Sequence, residues 1–314
     1  MTVFGTLSIT EGRAPRGARL PRFTLVGAQD APVVVVLGGI SATRDVVSSA
    51  DQAGWWDDVA GDGRAIDTKS FRVLGLDFLD AGRDATGRPR RIVTTHDQAL
   101  ALARILRYSG IGRVHAVVGS SYGGMVGLAF GERFGARVDR LVILSAAHES
   151  EPMSTALRTL QRRIVELGLE TGRVDEAMAL ARGVAMTTYR TATEFAGRFA
   201  SRPLSLSNND ARFEVDEYLR DRGSRFASMT TPERFLALSL STDLHRVDPR
   251  RITVPTTLVA AEGDTIVPRA QIEALAERLA GPTNLVHLPT RVGHDAFLVE
   301  TDRVSSIVSA ALNH

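Results

Sequence analysis

The chain of 314 residues contains no cysteine. Disulfides, thiolate metal sites and cysteine nucleophiles are therefore excluded, and a covalent catalyst here must be another residue type. Lysine is almost missing too: Lys69 is the only one, so nearly all of the 38 basic residues are arginine. These arginines are scattered, lack interleaved aromatics and face 36 acidic residues, leaving a net charge of +2. No nucleic-acid footprint results, only a modest pull on anionic small molecules. Long apolar runs are absent as well. The first twenty residues, "MTVFGTLSITEGRAPRGARL", hold no continuous apolar h-region, so no membrane partner is expected and a cytoplasmic location is.

What remains is an ordinary globular composition, 44% hydrophobic and 24% charged, in a chain long enough for one large α/β domain with an insertion. The β-branched run "VVVVL" (33–37) reads as a strand buried on both faces. "FRVLGLDF" (71–78), "VHAVVG" (114–119), "RLVILSA" (140–146), "TTLVAAEGD" (256–264) and "NLVHLP" (284–289) repeat the theme. Helical patterns lie between them at 95–110 and 123–135, and again at 270–281 and 302–314. Strands alternating with helices predict β-α-β units and a mostly parallel sheet with helices on both faces. From 151 to 249 the rhythm turns helical, which predicts a core of 1–150 and 250–314 interrupted by a helical insertion at 151–249.

The stretch "VVGSSYGGMVG" (117–127) contains Gly-x-Ser-x-Gly, centred on Ser121. Taken alone, such a motif is common and Ser121 could be a small residue in a turn. A strand before it and a helix after it make it a nucleophile elbow, a sharp turn that lifts Oγ above the sheet edge. That architecture orders its partners as serine, acid, histidine, and Asp264 and His294 follow in that order, each where a strand gives way to a loop. His148 and His287 read as packing or surface residues, His96 and His245 carry no distinguishing context, and His314 is terminal. The Gly-rich loop "LGGIS" (37–41) is placed to offer a backbone N–H to an oxyanion. Ile40 is nominated, with Gly39 as the alternative, and Tyr122 as the second donor. No metal ligands are nominated.

Five segments add a resemblance: "GWWDDVAGDGRAIDT" (54–68), "GSSYGGMVG" (119–127), "ALARGVAMTTYRT" (179–191), "RFEVDEYLRDRGSRF" (212–226) and "GHDAFLVETDRV" (293–304). Together they resemble the homoserine O-acetyltransferase family of α/β-hydrolase-fold acyltransferases, which includes homoserine and serine O-succinyltransferases. The resemblance implies an α/β-hydrolase fold with a helical lid and a ping-pong transfer, in methionine biosynthesis, from acyl-CoA through Ser121 to the hydroxyl of L-homoserine. It implies that Arg182 grips the amino acid's carboxylate and Asp295 its ammonium, and that acyl-CoA is a co-substrate with no further cofactor. A homodimer is left open. Acetyl is the first expectation for the acyl group. Succinyl is the other, since loop arginines such as Arg44, Arg83 and Arg88 could meet a second carboxylate. The alternatives are an L-serine O-acyltransferase or esterase of the same fold, and a non-catalytic binding protein.

Overall fold

The computed structural model describes residues 21–80, 82 and 91–313. Its centre is a seven-stranded sheet made of β1 (Phe23–Val26), β2 (Val33–Leu37), β3 (Arg72–Leu76), β4 (Val114–Ser120), β5 (Val138–Leu144), β6 (Thr256–Ala261) and β7 (Thr283–Leu288). The spatial order is β1-β3-β2-β4-β5-β6-β7, and every pairing is parallel except that of β1 with β3. β1 has no counterpart in the sequence reading: four residues following an Arg- and Gly-rich stretch carry too short a pattern to register.

Strand β2 shows why its composition is so uniform. Val33, Val35 and Leu37 point into one layer with α1 (Thr95–Tyr108) and α2 (Tyr122–Phe134), while Val34 and Val36 point into the other with the C-terminal helix α8 (Thr301–Asn313). Successive side chains of a strand alternate faces, so a strand covered on both sides needs apolar residues at every position. Helices thus cover both faces of a mostly parallel sheet, the arrangement expected of an α/β-hydrolase fold. Helix α1 begins at a capping box, in which Thr94 accepts from the Asp97 N–H and Asp97 accepts from the Thr94 N–H.

Between β5 and β6 the chain runs through α3 (Pro152–Thr171), α4 (Val174–Tyr189), α5 (Ala192–Arg198), α6 (Glu214–Met229) and α7 (Pro232–Asp243). Their own apolar cluster is built on Val165, Met178, Ala181, Phe226, Phe235 and Leu236. The two ends of this excursion meet: Glu149 and Arg246 form a β-bridge, and the Val247 N–H donates to the His148 carbonyl at 2.9 Å. Such a pinned neck lets a helical layer be inserted without disturbing the strand order beneath it. Helical periodicity is plain in the sequence of α3, α4 and α7 but not in that of α5 and α6. In α6 the charged run "DEYLRDRGSR" leaves only Gly223 and Phe226 buried, too few to show a helical stripe.

Candidate active site

Ser121 sits between the end of β4 and the first turn of α2 with φ 51° and ψ −121°, in the left-handed region that a non-glycine residue seldom occupies. Holding it there costs of order 1–3 kcal/mol, which the surrounding structure must over-determine. The Ser121 N–H donates to the Leu144 carbonyl at 2.9 Å, and the Gly123 N–H to the Gly38 carbonyl at 2.9 Å. The motif's glycines permit this closeness. A Cβ on Gly119 would lie 2.4 Å from the Gly123 oxygen, and one on Gly123 would lie 2.2 Å from the Leu37 oxygen.

The structure brings the three nominated residues together. Ser121 Oγ lies 2.8 Å from His294 Nε2, and His294 Nδ1 lies 2.8 Å from Asp264 Oδ2. Since a carboxylate only accepts, Nδ1 carries the proton donated to Asp264, and Nε2 is the acceptor for the serine hydroxyl. Asp264 is fixed in turn through its other oxygen, Oδ1, which accepts the backbone N–H groups of Ile266 and Val267 at 2.9 Å each. His294 and Asp264 are both buried.

Burial by itself pushes the His294 imidazole down. The charge of Asp264, its hydrogen bond and the nearby Asp295 together outweigh that and raise its pKa above the ordinary 6.5. Only the neutral ring can take the serine proton. The kcat/KM for an acyl donor should therefore fall on the acid side with a midpoint above pH 6.5, as a pH–rate profile of the free enzyme would report. A midpoint at or below 6.5 would mean that burial, not Asp264, governs this ring.

A cavity of about 290 Å³ opens over the serine, at the small end of ligand sites and lined in part by Gly39, Ile40, Trp55, Ser121, Arg182 and Asp295. The loop bearing Gly39 and Ile40 thus lines the same cavity as Ser121. Tyr122 is the first residue of α2, so its N–H has no carbonyl within the helix to meet. Its side chain turns away into the core, where the hydroxyl bonds Ser241 and Gln98, and burial pushes the phenol up to about 12.

Arg182, on α4, lies over the rings of Tyr189 and Phe226 at 5.1 and 5.0 Å. Among the described residues no carboxylate forms an ion pair with it. Asp295 is buried and bonds through Oδ2 to Arg190 Nε at 3.0 Å. Its Oδ1 has no hydrogen-bond partner among the described residues. Arg190 escaped the sequence reading, as an arginine at a helix end carries no signal of a partner 105 positions on. Arg158 and Gln161, also facing the cavity, read in sequence only as polar residues of an amphipathic helix. Arg44 is not in the cavity: it pairs with Asp77 at 3.0 Å, which removes it as a substrate contact. Arg83 and Arg88 lie outside the described residues.

Three further histidines take no part in the cavity wall. His245 is buried, with Nδ1 accepting from Thr95 at 2.8 Å and Nε2 donating to the Ala147 carbonyl at 3.1 Å, and burial pushes its pKa down to about 3. His148 is buried beside Arg278, and His287 is half-exposed on β7.

Residues 32–301 match the family model described as alpha/beta hydrolase fold. The homoserine O-succinyltransferase of Xanthomonas campestris pv. campestris is 44% identical, over 93% of this chain and 78% of that protein. The homoserine O-acetyltransferase of Thermus thermophilus is 31% identical, over 82% of this chain and 72% of that one. Among solved structures, a homoserine O-acetyltransferase from Bacillus anthracis superposes with a TM-score of 0.82 at 16% identity, covering 93% of this chain and 92% of the other. An acetylester hydrolase from Corynebacterium glutamicum does so at 0.79 and 16% identity, covering 94% and 90%. At such identities the structures speak for the fold alone, whereas the sequence relatives go further. The chain belongs to the homoserine O-acyltransferase family of the α/β-hydrolase fold.

Proposed function

We propose that this protein moves an acyl group, acetyl or succinyl, from acyl-CoA to the hydroxyl of L-homoserine, through Ser121, His294 and Asp264. The observation that carries the acceptor is a pair of charges on the cavity wall. There Arg182, a guanidinium with no carboxylate partner among the described residues, and Asp295, a carboxylate with one oxygen uncommitted among them, border the same small cavity as Ser121. An amino acid's carboxylate and ammonium are complementary to that pair.

In the first half-reaction, His294 Nε2 takes the proton of Ser121 Oγ as the oxygen bonds to the thioester carbon. The C–S bond then breaks, and the imidazolium returns the proton to the CoA thiolate. In the second, His294 takes the proton of the homoserine hydroxyl, whose oxygen attacks the acyl-serine, and the proton goes back to Ser121. The N–H groups of Tyr122 and of Ile40 or Gly39 meet the oxyanion in both steps. Water would hydrolyse the same acyl-serine, so residues 151–249 serve as a lid over a core of 1–150 and 250–314, leaving room for the acceptor.

The test is CoA release by the purified protein from acetyl-CoA and succinyl-CoA, each with homoserine, serine or no acceptor. Turnover should need homoserine. Equal turnover without any acceptor would make the protein a hydrolase, and faster turnover with serine would reassign the acceptor. Arg182→Ala should keep a normal burst of CoA yet lose at least about tenfold in kcat/KM for homoserine, a charge-assisted pair contributing roughly 1.5–3 kcal/mol. Arg182→Lys should recover part of it, having the charge without the planar fork. A lost burst with an unchanged acceptor KM would place Arg182 on the donor instead.

A further inference from the structure

One polar cluster in the cavity wall is not used by this mechanism. Arg158, on α3, faces the cavity with its side chain only 13% exposed. Its Nε donates to Asp243 Oδ1 at 2.6 Å, and its Nη2 to the Ser150 hydroxyl. One turn further along α3, Arg162 Nη1 reaches Asp243 Oδ2 at 2.5 Å and Ser239 Oγ at 2.9 Å. Two guanidinium charges thus share one buried carboxylate. A positive charge is left over, and Arg158 Nη1 has no hydrogen-bond partner among the described residues.

Among the described residues none of the carboxylates that border the cavity forms an ion pair with Arg158. Glu151 Oε2 accepts the Ser154 N–H at 2.7 Å to cap α3, Glu149 lies 3.8 Å from His148 and 3.9 Å from Arg246, and Asp295 is paired with Arg190. A half-buried charge without a full counter-charge is costly, and an arriving anion offsets that cost. The surplus also bears on the catalytic centre, since the charge of Arg158 is felt at His294, where it opposes protonation of the ring.

Two cations then line this cavity, Arg158 and Arg182. Homoserine supplies one carboxylate. Resting on the acyltransferase reading above, the geometry points to Arg158, backed by Arg162 and Asp243, as the residue that reads a terminal carboxylate on the acyl group, which selects a dicarboxylic monothioester over a neutral one. Acetyl is too short to offer such a group, whereas succinyl carries it. Sequence had offered Arg44 for this role, but an arginine's partner is settled by packing, and Arg44 is spent on Asp77.

The test compares succinyl-CoA with butyryl-CoA, which has the same four-carbon chain and no charge, using homoserine as acceptor. The wild-type enzyme should prefer succinyl-CoA, and in Arg158→Gln the ratio of kcat/KM for succinyl-CoA to that for butyryl-CoA should fall about ten- to a hundredfold. Arg158→Lys should fall less. The glutamine variant leaves Asp243 paired with Arg162, so its fold should persist, as a thermal melt would report. Should it not fold, the wild-type protein still decides: equal kcat/KM for the two donors overturns the proposal. So does a parallel loss with both donors in Arg158→Gln, which would place Arg158 on the CoA moiety or in support of the fold. Failure of the wild-type protein to release CoA from any thioester overturns the acyltransferase reading, and this inference with it. Release from butyryl-CoA without discrimination overturns the inference alone.

Discussion

Ser121→Ala should fold and bind acyl-CoA yet release no measurable CoA and form no acyl adduct by intact-protein mass spectrometry. A methyl group has no lone pair to attack the thioester and no proton for His294 to take. Removing the serine of a comparable triad costs roughly 10⁶ in kcat, the largest effect expected of any substitution here. Stability should change little. Alanine tolerates the strained φ of 51° no better than serine and loses the hydroxyl bonded to His294, while the backbone hydrogen bonds to Leu144 and Gly38 stay in place. The melting temperature should therefore hold or fall slightly. An acyl adduct persisting on the alanine variant would move the nucleophile elsewhere, and the neighbouring Ser120, whose Oγ is buried without a hydrogen-bond partner among the described residues, would be the next to replace.

The triad was legible in the sequence because its constraints are local. A strand, five residues of fixed type and a helix define the elbow, and an acid and a histidine following later strands complete the order. The sheet was legible for a similar reason: strands buried on both faces must be apolar throughout, and "VVVVL" allows few other readings. The proposed acceptor side rests on the resemblance, since an arginine in a helix such as Arg182 has no property of its own that would mark it as a substrate contact.

What escaped depends on pairings across long stretches of chain. Asp243 joins Arg158 and Arg162 from a different helix some 80 positions away, and Arg190 meets Asp295 across 105. With 37 arginines to choose among, sequence cannot say which guanidinium is paired and which is left to meet a substrate. Arg44 shows the cost: it belongs to a loop near the first strand, yet Asp77 at the end of β3 takes up its charge. The N-terminal strand β1 and the helices α5 and α6 were lost differently, through patterns too short or too charged to show a period.

Asp264→Asn should test the deepest part of the site, and the geometry specifies how it fails. Asp264 Oδ1 accepts two backbone N–H groups, from Ile266 and Val267, while Oδ2 faces His294 Nδ1. An asparagine has one oxygen, and two fixed donors will hold it at the Oδ1 position, so its NH₂ group must face the imidazole. Nδ1 then becomes an acceptor, the ring proton moves to Nε2, and Nε2–H confronts the Ser121 hydroxyl. The base is present but holds the wrong tautomer. In triads of this kind the same substitution costs about 10⁴ in kcat. Both half-reactions need the base, so the CoA burst should slow as much as steady turnover, unlike in Arg182→Ala. The charge and hydrogen bond that hold the His294 pKa above its ordinary value vanish too, while burial continues to push it down. The residual activity should therefore show its acid limb at lower pH than the wild-type enzyme. Fold and melting temperature should change little, because the two backbone hydrogen bonds survive. A loss of less than tenfold, with the acid limb unmoved, would mean that His294 is oriented by another acid, and Asp295, next to it in the chain and also acting on its charge, would take that role.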